Sequence, residues 1–453
     1  MLRTRFVVSL LGLVLVAGGA PAAAADPVGA TDVETAGRGV PDDRPLPGYT
    51  VDNPPLAPEA VNGRPSRVLQ GVYRHAAYTI EVPPNWNGRL TMWAHGYRGT
   101  GKVLTVDPPA YGLRTTLLRQ GYAWAASSYY DNAYDVRAGV TGTHDLALRF
   151  GQLVGRPKEV FVTGVSMGGH VIGRSLEQYP GFYDGALPMC GVLGDHELFD
   201  FFLDFQLSSQ ALSGIRAYPT PADYVTAVVP RIQAELGLTG LVPGGPDTTN
   251  DRGKQFRSVA IERSGGPRPG AENAFAYWKD FVFGLGAPST SDRLAENAGS
   301  LVTNLATRYR PNSPVDLNRV VQRVAPEDPY SRATPSLTEI PRITGRPTAP
   351  VLSLHGVGDM FVPFSMEQAY HRDVVRNSRG KQVVQRAIRT VEHCEFAPSE
   401  VGAAWNALVD WVDHGRKPAG DDVDATSAAG FGCRFTDRAA YPTGTRGMFA
   451  PCP

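Results

Sequence analysis

An excess of charge of either sign is absent from this sequence. Its 453 residues carry 44 Lys and Arg against 44 Asp and Glu. Nucleic-acid binders need a basic surface to displace counterions, so no nucleic-acid partner is expected. Cysteine is scarce: Cys190, Cys394, Cys433 and Cys452 are the whole set. No two are spaced as CxxC, which excludes a thioredoxin-type redox site and a zinc ribbon. HExxH and P-loop signatures are missing, and no GxGxxG follows a first strand. The expectation is therefore no metal and no cofactor. Past residue 25 no apolar run approaches the ~20 residues of a membrane span.

What is present is a large apolar share, 42%, with Gly 50 and Pro 38. That share builds a sizeable core, and the Gly and Pro imply many turns on an ordered body. The first 25 residues read as a secretory leader. Arg3 and Arg5 precede a short apolar run, and Ala23, Ala24 and Ala25 supply a small-residue cleavage point. Removing the leader leaves 42 positive against 44 negative residues. A secreted, extracellular chain with an even cysteine count predicts two disulfides.

Residues 26–67 are rich in Pro, Gly and charge and read as an N-terminal arm. Strands are expected at 68–74, 77–82 and 89–94. A helix–strand alternation follows, with helices at 111–120, 143–153 and 169–179 and strands at 122–128, 159–163 and 185–189. This grammar implies a mostly parallel sheet flanked by helices, an α/β class. Between 195 and 340 the alternation stops. Helical stretches at 197–208, 222–236, 271–283, 293–309 and 316–324 read as an inserted helical cap. The grammar resumes with strands at 350–355 and 382–391 and helices at 365–378 and 398–414. The core is thus expected over 68–194 and 341–418, with a cysteine-containing tail over 419–453.

The strongest chemical signal is Gly164-Val165-Ser166-Met167-Gly168. It follows the apolar strand EVFVT and opens a helix, the setting in which a sharp turn exposes a nucleophilic serine. A nucleophilic Ser166 needs a base, and the base needs an orienting acid. Asp359 follows the strand PVLSLH in a turn containing Gly356 and Gly358. Asp195, after an earlier strand, is the rival acid. His393 follows the next strand, in RTVEHCEF, and completes the order Ser, Asp, His. The amide of Met167 and that of Tyr97, in the turn His95-Gly96-Tyr97, are the expected oxyanion donors. The His95 ring is expected to brace that turn. Tyr129 and Tyr130, after the strand AWAASS, are candidates for lining the site. The cap aromatics, among them Phe199, Phe202, Trp278 and Phe281, read mainly as cap core.

The motifs AHGYRG, GVSMGG, LHGVGDMFVP and the His of VEHCEF together resemble the α/β-hydrolase superfamily, over residues 68–418 less the insertion. The resemblance implies that fold and a serine hydrolase. His393-Cys394 followed by WVDHGRKP is similar to the tannase and feruloyl-esterase branch. There a disulfide joins the residue before the nucleophile to the one after the histidine. Here Val165 precedes Ser166, so that bridge cannot form. Cys190, ending the neighbouring strand, is the substitute: Cys190–Cys394 with Cys433–Cys452, the alternative being Cys394 paired with a tail cysteine. GxSxGG with HGxxDxxVP also resembles prolyl-oligopeptidase-type catalytic domains. The expected function is hydrolysis of a small-molecule or polymeric carboxylic ester. A peptidase or amidase with the same triad is the alternative within enzymes, and a non-catalytic binding protein is the alternative outside them. The oligomeric state is left open.

Overall fold

The computed structural model describes residues 42–440 and 444–452. The expected leader, residues 1–25, lies outside the described residues. Eight strands form one sheet: Arg67–Tyr73 (β1), Ala76–Val82 (β2), Arg89–Ala94 (β3), Ala123–Ser127 (β4), Glu159–Val165 (β5), Gly185–Met189 (β6), Val351–Gly356 (β7) and Val383–Ile388 (β8). Their spatial order is β8-β7-β6-β5-β3-β4-β2-β1. β1 pairs antiparallel with β2, and β2 antiparallel with β4. Every other neighbour is parallel. Strands buried on both faces read as apolar runs, and β6, β7 and β8 have no exposed residue.

Helices cover both faces. Val136–Leu153 (α2), Met167–Gln178 (α3) and Ser365–Arg376 (α8) pack on one, where Val160 and Val162 point. Leu113–Arg119 (α1) and Pro398–His414 (α9) pack on the other, where Phe161 meets Trp405. Adjacent residues of β5 thus face opposite layers, as the two-residue period of a strand requires.

Between β6 and β7 the chain makes Glu197–Ser213 (α4), Val229–Leu236 (α5), Asp251–Arg263 (α6) and Ala271–Gly284 (α7). Phe201, Phe205, Phe256, Phe275 and Phe283 form an aromatic core there. That core continues through Val357, Met360 and Val391 of the sheet-edge loops to Phe431 and Phe449 of the tail.

The structure corrects several local readings. Residues 293–309 are not a helix but two 3-10 turns, Leu294–Glu296 and Ala298–Leu301. Amides a helix would use go elsewhere: Ala295 N donates to Glu339 Oε2 at 2.6 Å, Thr303 N to Asp200 Oδ1 at 2.8 Å and Asn304 N to Val324 O at 3.3 Å. Helix α6 was not anticipated. It is mostly polar, and Asn250 caps it by accepting from Gly253 N at 2.9 Å. Part of the N-terminal arm is paired rather than irregular. Thr50–Asp52 runs parallel to Val103–Thr105, and Ala60–Val61 pairs with Arg64–Pro65.

Candidate active site

Ser166 stands at the junction of β5 and α3 with φ 57° and ψ −123°. A side chain tolerates this left-handed geometry only where the surroundings impose it. Here they do. A Cβ on Gly164 or on Gly168 would lie 2.2 Å from Ala94 O. Only glycines let β5 and α3 approach the end of β3 this closely. The backbone is further held by Ser166 N donating to Met189 O at 3.1 Å and Val192 N to Ser166 O at 3.1 Å. The turn therefore holds Oγ at the carboxyl edge of the sheet.

The structure brings Ser166, His393 and Asp359 together. Ser166 Oγ lies 2.8 Å from His393 Nε2, and His393 Nδ1 lies 2.6 Å from Asp359 Oδ2. A carboxylate on Nδ1 makes that nitrogen the donor and leaves Nε2 to accept from the serine. Asp359 is fully buried, and its other oxygen accepts from Phe361 N at 2.9 Å and Val362 N at 3.0 Å. Behind it, buried His355 bridges Val362 O and Glu367.

Asp195, the rival acid, is engaged elsewhere. Its carboxylate accepts from Ile343 N at 2.8 Å and from His196 N. Burial pushes its pKa up to about 7.

Met167 is the first residue of α3, where amides have no partner within the helix. The loop after β3 lies against the serine: a Cβ on Gly96 would sit 3.0 Å from Ser166 Cβ. Tyr97 follows with its ring half exposed. His95 does brace this loop, with Nδ1 2.7 Å from Gly96 O and Nε2 3.1 Å from Ser128 O. Burial pushes its pKa down to about 3.

Tyr129 and Tyr130 do not line an open site. Tyr129 is fully buried, stacked on His95 at 3.9 Å, with Gly139 and Gly142 of α2 against it. Tyr130 is also buried. The chain has a positive φ of 61° at Tyr129, whose ring lies under the loop against His95. Other rings surround the triad. Phe361 sets its edge on His393 at 5.0 Å, and exposed Phe281 meets Phe361 at 4.8 Å. Phe199 and Phe202 join Tyr134 and Phe361 to this rim. Phe361 stands two residues after Asp359 in LHGVGDMFVP, which is the signal that could have found it.

Cys190 is bonded to Cys394, and Cys433 to Cys452. The first bridge ties the residue after His393 to the end of β6. Among the described residues, the one group with metal-ligand spacing is Cys190, His393 and Cys394. With its two sulfurs joined, it offers no thiolate.

A nucleophile turn after β5, an acid after β7 and a histidine after β8, on a sheet ordered 1-2-4-3-5-6-7-8, decide the architecture. The fold is that of the α/β-hydrolases. No family model matches the chain. It is 22% identical over 426 residues to the o-phthalyl amidase of Xanthobacter agilis, covering 78% of this chain and 89% of that one. Two solved α/β-hydrolase-fold structures from Aspergillus oryzae are similar. An esterase is 14% identical, with 79% of this chain and 82% of that one covered and a TM-score of 0.45. Feruloyl esterase B is 16% identical over the same shares, with a TM-score of 0.42.

Proposed function

We propose that this chain is a secreted serine hydrolase of carboxylic esters. The observation that carries the reading is the hydrogen-bonded series Ser166–His393–Asp359, at 2.8 and 2.6 Å, beginning on a strained turn. Ser166 Oγ attacks the ester carbonyl carbon while His393 Nε2 takes its proton. Asp359 fixes the tautomer and stabilises the imidazolium. The Met167 and Tyr97 amides hold the oxyanion, each worth about 3 kcal/mol in the transition state. His393 returns the proton to the leaving alkoxide, giving the alcohol and an acyl-Ser166. Water, deprotonated by His393, attacks that acyl group and releases the acid. No step calls for a cofactor. A binding protein would have no need of all three groups in register, which weighs against the non-catalytic alternative.

The two disulfides and the leader-like first 25 residues support secretion. No described helix is long and apolar enough to cross a membrane.

Amide hydrolysis is the second reading, favoured by the similarity to o-phthalyl amidase. The same triad serves it, but the leaving nitrogen must be protonated by His393 as it departs. A panel of p-nitrophenyl esters, aryl esters, polyesters and aminoacyl or aryl amides separates the two, run on wild type and Ser166→Ala. Faster Ser166-dependent turnover of esters is expected, and faster amide turnover reverses the ranking. A fluorophosphonate should label Ser166, and folded protein that takes up no label removes the nucleophile from the proposal.

A further inference from the structure

Two loops carry the partners of Ser166, and the inserted segment reaches both. Arg268, between α6 and α7, donates from Nε to Val357 O at 2.6 Å. Trp278, on α7, donates from Nε1 to Val391 O at 2.8 Å. Val357 precedes Asp359 by two residues, and Val391 precedes His393 by two. Both donors are buried, at 7% and 8% exposure. Between themselves the loops are joined by Val357 N to Ile388 O and Gly358 N to Thr390 O, both at 2.8 Å. One carbonyl on each loop is thus turned away from the sheet and met by a donor from the insertion.

Arg268 has a second property. Its other donors go to neutral acceptors: Gly266 O at 2.8 Å, Ser264 Oγ at 3.1 Å and Ile261 O at 3.4 Å. Among the described ion pairs it has none. Burial pushes its pKa down to about 10, and Asp359 is the charge that opposes this.

We infer that Arg268 and Trp278 are positioning residues, holding the Asp359 and His393 loops in register from the inserted segment. This rests on the triad proposed above. The insertion is then part of the catalytic frame and not only a cover over it.

The rate of Ser166 labelling by a fluorophosphonate tests this without a known substrate. Trp278→Phe keeps the ring and loses the donor to Val391 O. Its maximal labelling rate should fall about tenfold with the half-saturating probe concentration unmoved. Arg268→Met loses the donor to Val357 O and should lower the maximal rate likewise, while Arg268→Gln, which keeps a donor, should return it toward wild type. Wild-type maximal rates in folded Trp278→Phe and Arg268→Met overturn the positioning role, and Trp278→Phe decides it alone if Arg268→Met fails to fold. Absence of label on wild-type Ser166 instead defeats the proposed function.

Discussion

At the scale of single residues, the acid assignment is the sharpest point. Asp359 and Asp195 both follow strands near the nucleophile, and composition cannot separate them. Asp359 faces His393 at 2.6 Å, while Asp195 holds the backbone of Ile343 and His196. Asp359→Asn should therefore lower kcat about 10⁴-fold by favouring the wrong tautomer, with the melting temperature little changed. Asp195→Asn should leave kcat near wild type. Asp195 should instead reveal itself in stability. Its pKa is raised from 3.8 to about 7 by burial. The folded state thus keeps a proton that the unfolded state has already lost. The stability Asp195 contributes is full below the unfolded value and declines as pH rises through about 7. Melting temperatures of wild type and Asp195→Asn should accordingly converge or cross between about pH 4 and pH 7. A constant gap over that range would contradict the raised value.

At the scale of elements, the histidine loop depends on the bridge beneath it. Cys190–Cys394 closes a separation of 204 residues and Cys433–Cys452 one of 19. Chain entropy gives about 5 kcal/mol for the first and about 3 kcal/mol for the second. Position separates them further. Replacing Cys190 and Cys394 by Ser frees the residue next to His393, and kcat should fall by about 10²-fold. Replacing Cys433 and Cys452 should lower the melting temperature with kcat within about threefold of wild type. Equal kcat losses in the two variants would refute the local tether.

Most strands and flanking helices were legible because their signals are local: apolar runs, glycine stops and the elbow motif. Strand β3 and helix α9 occur at the residues expected for them. Most of the failures lie in the insertion. The segment 293–309 has helical spacing of apolar residues, yet the amides of Ala295, Thr303 and Asn304 are taken by Glu339, Asp200 and Val324 O outside it. Helix α6 shows a narrow apolar stripe, Phe256, Val259 and Ala260, that matters only against the aromatic core it meets. Helix α2 begins at Val136 rather than at 143, because Asp135 caps it, accepting from Ala138 N at 2.8 Å.

At the scale of the whole molecule, the tail is fastened to the body. Arg446 makes two 2.8 Å bonds to Glu400 of α9, with both side chains almost wholly buried, and donates to Glu395 O on the histidine loop at 3.0 Å. Arg389, buried after β8, donates to the carbonyls of Phe431 and Ala450. Breaking a buried pair from one side leaves an uncompensated charge, so Arg446→Met should cost about 3–5 kcal/mol in denaturant unfolding. A loss under about 1 kcal/mol would mean the tail is not part of the cooperative unit.

The sequence by itself determined the sheet grammar, the serine elbow, the order Ser166, Asp359, His393 and the place of the insertion. Each of these is written in neighbouring residues, where periodicity and turn chemistry act. Only the tertiary structure placed Asp359 and not Asp195 against His393, paired Cys190 with Cys394, buried Tyr129 and Tyr130, and set Arg268 and Trp278 against the loops that carry Asp359 and His393. Those outcomes depend on which side chains meet across tens to hundreds of residues, and local propensity carries no information about such meetings. The balanced charge and scarce cysteine that excluded other classes at the outset are compatible with all of them. Selection among them came from packing.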